Sequence, residues 1–257
     1  MWKSLRIGVL LLVLLLVATQ QWLDRIATQS WRDPLWVGIF PVSAEDSATA
    51  RDYVAGLTAK DFADIEEFFS REGQRYRLPV TQPVHLELYP PGSESPPQLP
   101  ADAGLVARMW WSLKLRYFAA GHTSFPGRAP ATVRLFVLYH DPAHLERVPD
   151  SHGLQKGLVG IVHAFADPAM AGSNDLVIAH ELLHTVGASD KYDPASGAPL
   201  VPAGLGDPDQ RPLYPQQDTE IMAGRRALSP TESEMPRSLR HVVVGDATAL
   251  EIRWSRP

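Results

Sequence analysis

The chain of 257 residues contains no cysteine. That absence excludes a disulfide framework, a Cys-type zinc finger, an iron–sulfur cluster and a thiol nucleophile. No basic block is present, and Asp+Glu outnumber Lys+Arg by 29 to 24, a net charge of −5. Nucleic acid is therefore excluded as the main partner. There is no internal repeat and no low-complexity tract. The 23 prolines argue for long irregular connections and against a helical bundle. What is there fits an ordinary globular chain, with 45% hydrophobic and 21% charged residues. The length allows one large domain whose core needs no covalent staples.

Long apolar runs are scarce too. The one that stands out, Ile7–Ala18, follows Lys3 and Arg6. A charged start before such a run has the shape of a signal sequence. Extended to Trp2 and Trp22 it reaches the ~20 residues of a spanning helix, with an aromatic at each end. The residues after it, Thr19-Gln20-Gln21-Trp22, make a poor cleavage site. The expectation is an uncleaved anchor over residues 1–23, with secretion after cleavage as the alternative. The positive-inside rule then predicts a single-pass inner-membrane protein whose domain after residue 23 is periplasmic or otherwise extracytoplasmic. Residues 24–33 read as a polar stalk, and residues 34–257 as one α+β domain.

Within that domain Leu35–Val42, Val84–Tyr89, Thr132–Tyr139 and Leu158–Phe165 read as strands, rich in β-branched and aromatic residues. Thr58–Arg75 reads as a helix capped by Thr58 and Asp61, with Phe62, Ile65, Phe68 and Phe69 inward. Ala103–Ala119 and Asp175–Val186 read as helices, and Gly245–Trp254 as a short last one. Pro90–Pro100 and Pro194–Glu220 read as loops. A loop as long as the second is usually functional.

The chemistry concentrates in His180-Glu181-Leu182-Leu183-His184-Thr185-Val186-Gly187-Ala188-Ser189-Asp190. Histidines four apart on a helix share one face and can hold one ion. Glu181 lies one step round, beside the ion, where it can accept a proton from water. Gly187 can take φ > 0, end the helix and turn the chain back, which lets Asp190 serve as a third ligand. A fourth position left for water is the arrangement of a catalytic zinc site. Strand Leu158–Phe165, just upstream, offers an edge to an extended substrate. The plain alternative is two ordinary helix histidines.

This segment resembles the extended metzincin motif HExxHxxGxxH with Asp in the last place, the pattern of snapalysin-type metalloproteases. Asp190-Lys191-Tyr192 is similar to their D-x-Y ending. Glu220-Ile221-Met222-Ala223-Gly224, centred 38 residues after His184, resembles their Met-turn. The chain also looks like uncharacterised membrane-anchored bacterial proteins that share HELLHT, DKYD and EIMAG segments. The resemblance covers residues 180–224; upstream only the general strand–helix order agrees. It implies a zincin/metzincin-like mixed sheet with an active-site helix. It also implies His180, His184 and Asp190 as Zn2+ ligands, Glu181 as general base and Met222 as an apolar floor. A larger N-terminal half and a longer loop before the Met-turn depart from the snapalysin pattern, and without cysteine no cysteine-switch latency is possible.

The reaction expected is zinc-dependent hydrolysis of a peptide or protein substrate. A catalytically inactive zincin-fold binding or adaptor protein at the cell envelope is the alternative. Tyr192 is the candidate donor to the oxyanion, set against a packing role. His163 is a strand-face histidine that could meet substrate. His140, His144 and His152 could form a second metal site, or be loop residues. Asp193, Asp207, Asp209 and Asp218 could bind calcium, but lack EF-hand spacing. His85, His122 and His241 are isolated, and the Trp110–Trp111 pair is read as packing.

Overall fold

The structure, a computed structural model, describes residues 28–100, 103–122, 125, 130–155 and 157–256, with residues 6–8, 11, 15 and 19 near the N-terminus. Its centre is a five-stranded mixed sheet. Strand β1 (Leu35–Ser43) pairs in parallel with β2 (Val84–Leu88) on one side and β3 (Val133–His140) on the other. β3 pairs in parallel with β5 (Val159–Phe165), and the short β4 (His152–Leu154) closes that side antiparallel. The spatial order is β2-β1-β3-β5-β4. The fold is thus mixed α and β, with a mostly parallel sheet.

Apolar residues run almost unbroken along β1, β3 and β5 because both sheet faces are covered. Val37, Ile39, Leu135, Val137, Val162 and Ala164 point into one core; Phe40, Val42, Phe136, Leu138 and Ile161 point into the other. Helix α1 (Ala48–Gly56) and helix α2 (Ala63–Arg75) supply residues to the first core. So does helix α4 (Ala171–Thr185). Phe62, Ile65, Phe68 and Phe69 are buried there, as their spacing predicts, and Thr58 with Asp61 forms the cap. The second core is covered by α3 (Leu105–His122) through Trp111, Leu115 and Ala119, while Trp110 and Leu113 face solvent. The tryptophan pair is therefore split.

The C-terminal part is tied on by short pieces: β6 (Thr219–Glu220), β7 (Arg226–Ala227), β8 (Ser233–Glu234), β9 (Val242–Val243) and α5 (Asp246–Glu251). The long 194–220 stretch is irregular, as expected, but ordered from within. The side chain of Gln216, 1% exposed, accepts from the amide of Asp207 and donates to the carbonyls of Asp207 and Leu213.

Three expectations need correction. Among the described residues no helix is long and apolar enough to cross a membrane, which overturns the single-pass inner-membrane assignment. The longest described helix, α3, spans only ~27 Å and carries Arg108, Lys114 and Arg116. Most of segment 1–23, on which the anchor reading rested, lies outside the described residues, as do 24–27 of the stalk. The rest of the stalk is packed rather than free. Thr28, Gln29 and Trp31 are buried; Trp31 donates to the Ile252 carbonyl at 2.7 Å and meets Trp254 edge-on at 5.5 Å. Finally, β5 offers no edge, since β3 and β4 flank it; β4 is the outer strand.

Candidate metal centre

Helix α4 starts earlier than its apolar periodicity indicates. Asp167 caps a 3-10 turn over Pro168–Met170, accepting from the Ala169 amide at 2.9 Å, and the chain runs on into α4 at Ala171. The helix ends as Gly187 predicts. Gly187, at φ +106°, donates to the His184 carbonyl at 3.1 Å, and Ala188 donates to that of Leu183 at 3.0 Å. These two bonds define a Schellman cap, which reverses the chain beneath the last turn. The reversal delivers two groups to the same place: the Ala188 carbonyl and the Asp190 carboxylate.

Three atoms meet there. His180 Nε2 and His184 Nε2 are 3.1 Å apart, and Asp190 Oδ1 lies 3.2 and 3.1 Å from them. Each imidazole uses its other nitrogen elsewhere. His180 Nδ1 is 3.0 Å from the Ile221 carbonyl and His184 Nδ1 is 2.9 Å from that of Ala188. A carbonyl only accepts, so Nδ1 carries the hydrogen and each Nε2 presents a lone pair. Two lone pairs and a carboxylate oxygen facing one another call for a cation. Tetrahedral ligands at about 2.0–2.1 Å from a zinc ion lie about 3.3–3.4 Å apart, and the observed triangle is within a few tenths of an ångström of that.

Electrostatics agree with the geometry. Burial works against a proton on His180, but Asp190, Glu181 and the Ile221 carbonyl outweigh it and lift its pKa to about 8. Burial also works against the Asp190 carboxylate, yet when the imidazoles carry a proton on Nε2 their bonds to it hold it well below the usual carboxylate range. The Asp190 side chain is 41% exposed against 12% and 19% for the imidazoles, so the triangle opens towards solvent on its Asp190 side.

Glu181 is buried, and its carboxylate lies within 4.8 Å of the imidazole nitrogens. Its Oε2 is buried with no hydrogen-bond partner among the described residues. Tyr192 follows in an isolated bridge with Pro199; burial first, then the charges of Asp190 and Glu181, push its phenol up to about 12. Met222 is fully buried in the same core as Leu183 and Ala179. Its turn is pinned by the buried Glu220, which accepts from Thr248 Oγ1 at 2.6 Å and from the amides of Ala223 and Gly245. The turn supplies the Ile221 carbonyl to His180 and the Met222 carbonyl to the Lys191 amide.

Several contributors could not be read from the sequence. The Lys191 ammonium is buried next to Asp190 in the chain and donates to Ser189 O and Oγ and to both Glu251 oxygens, all at 2.8–2.9 Å. Glu251, at the end of α5, also accepts from the Ser189 amide and hydroxyl. This network fixes residues 189–191 against α5. Gly153 of β4 touches α4 so closely that a Cβ there would sit 2.3 Å from the Glu181 carbonyl and 2.7 Å from His184 Cβ. Only a glycine in the outer strand could have hinted at this.

The remaining candidates do not assemble elsewhere. His140 bonds Glu45 at 3.1 Å and His163 at 2.8 Å in a linear chain, His152 meets the Trp111 ring, and the His144 amide donates to the Asp141 carbonyl. His163 is buried, and burial followed by His140 lowers its pKa to about 4. Asp193 and Asp207 accept from amides two residues on, and Asp218 faces His241. His85 pairs with Glu66 and His122 with Glu94. Among the described residues the one group of closely set metal-ligating side chains is at His180, Glu181 and His184. Compared with known proteins, the chain matches no protein-family model and no curated protein.

Proposed function

We propose that the chain is a zinc metallopeptidase on a metzincin-like scaffold, with His180, His184 and Asp190 as the ligand set. The observation that carries this reading is the triangle of two imidazole nitrogens and one carboxylate beside a buried glutamate oxygen with no donor among the described residues. The edge strand β4 against α4 supports it, because an extended peptide can add to such an edge through main-chain bonds. Zinc, when bound, supplies a Lewis acid that polarises the scissile carbonyl and lowers the pKa of water towards ~7.

The chain's own residues do the rest. Glu181 Oε2 accepts a proton from the attacking water, whose oxygen bonds to the carbonyl carbon. Glu181 then hands that proton to the amide nitrogen as the C–N bond breaks. Tyr192 keeps its proton at neutral pH and is the candidate donor to the oxyanion. The Ile221 and Ala188 carbonyls hold both imidazoles in the tautomer that ligates. Met222 forms the apolar floor below the ligands.

The test compares wild type with Glu181→Gln on a peptide library, with zinc content measured in both. The expected result is equal zinc and a loss of cleavage of about 10²- to 10⁴-fold. Zinc-loaded wild type that cleaves nothing would move the reading to a binding protein on the same scaffold. Equal cleavage by both forms would remove Glu181 from the mechanism.

A further inference from the structure

At the opposite end of α4 from the candidate metal centre lies a cavity of about 410 Å³, between α1, the 3-10 turn Ala59–Phe62 and the start of α4. Its lining includes Tyr53, Asp61, Phe62, Tyr139 and Asp175. The volume is within the usual range for small-molecule sites, about 300–1,000 Å³. Asp175 is only 6% exposed, and no hydrogen bond from a described residue reaches its carboxylate. The neighbouring amide of Asn174 is already engaged on both sides by the Phe165 backbone, at 2.9 and 3.1 Å. An unpaired carboxylate out of water is costly, and an uncharged group of the same shape would cost the fold less. Packing alone gives no reason for an acidic side chain at this position.

The surroundings narrow the choice of ligand. Asp52 and Asp61 add negative charge to the lining, which contains no Lys or Arg. The rings of Tyr53 and Tyr139 stand 5.1 Å apart at 48°. Among the described residues, these carboxylates do not bring their oxygens close enough together to form a ready metal cluster. A divalent ion needs such convergence. A spread of anionic charge with aromatic walls suits an organic cation instead, held by one buried counter-ion and by ring faces.

We propose that this cavity binds a primary ammonium or guanidinium group on a short alkyl chain, with Asp175 as its counter-ion and Tyr53 and Tyr139 as its walls. The site is separate from the metal centre and does not depend on the proposed hydrolysis. Asp175 lies five residues before His180, ~7.5 Å along the helix axis.

The test is calorimetric titration of the full chain at pH 8 with n-butylamine, n-butylguanidine and, as uncharged control, n-butanol. Saturable binding of one or both cations and none of the alcohol is expected. Asp175→Asn should weaken it about tenfold or more, and Tyr53→Leu by about twofold or more. A parallel titration with the blocked tripeptide acetyl-Ala-Lys-Ala-amide distinguishes a free amine from a lysine side chain as the source of the cation. No saturable binding by wild type, equal binding by Asp175→Asn, or equal binding of butanol would each overturn the proposal. So would tight binding of Ca2+ that displaces the amine. A urea midpoint for each variant shows that it is folded before titration.

Discussion

Burial pushes the Asp175 carboxyl up to about 7, and the charges of Asp64 and Asp61 add to the push. In the unfolded chain the same group titrates near its ordinary 3.8. Between those two values the folded state keeps a proton that the unfolded state has released. Its contribution therefore favours folding at low pH and is lost as pH rises through about 7. Asp175→Asn should be more stable than wild type at pH 8, by on the order of 4 kcal/mol, and the two should converge near pH 4. Urea unfolding at a series of pH values checks this; parallel profiles would show that the carboxylate is not buried uncharged. Nothing in the sequence marks this aspartate, because an acidic residue near a helix start is the ordinary choice there. His180, Glu181, His184 and Asp190 were legible for the opposite reason. Their spacing, and a glycine able to turn the chain, follow from helix geometry alone.

At the scale of elements, the reversal after α4 was predictable from Gly187, but its anchoring was not. Lys191 read only as the middle of a short motif, and Glu251 lies 60 residues further on. Their pairing is a product of tertiary packing. Glu251→Gln leaves the shape of the side chain and removes its charge, so the buried ammonium keeps fewer partners. The fold should lose about 1–3 kcal/mol and zinc affinity about tenfold. Competition with a chromogenic chelator reads the second quantity, and an unchanged affinity would mean that residues 189–191 hold Asp190 without help from α5. Strand β4 escaped notice because three residues, one of them glycine, show no alternation. The same glycine makes it testable. Gly153→Ala should cost about 1–3 kcal/mol through overpacking against the Glu181 carbonyl, seen as a lower urea midpoint. The early start of α4 was hidden because Ala171-Gly172-Ser173-Asn174 has no apolar face to count.

For the whole molecule, the alternating strands and helices gave the α and β content, since the burial of a strand on two faces is written in its composition. The interior order of residues 194–220 was not written anywhere, because it rests on side chains such as Gln210 and Gln216 reaching backbone groups that no periodicity marks. The expected stalk failed at Trp31, whose ring joins Trp254 from the other end of the chain. The two termini of the described domain thus share one aromatic contact. A ligand that binds only the folded state stabilises it by mass action, by about 2.7 kcal/mol at a concentration 100 times its Kd. Calorimetry should therefore show a lower Tm with chelator than with zinc in wild type, and a much smaller difference in Asp190→Ala. An equal response in both would remove Asp190 from the ligand set.

Position 153 leaves one more consequence. Since β4 meets α4 with no side chain between them, that contact is already at its limit, and every substitution at 153 adds atoms. The segment after Asp190 carries no such limit at Leu200, whose amide donates to the Lys191 carbonyl and whose side chain is exposed. Sequence variation around the candidate site is therefore better sampled in residues 193–204 than at 153, and libraries that hold 153 constant will waste the fewest members.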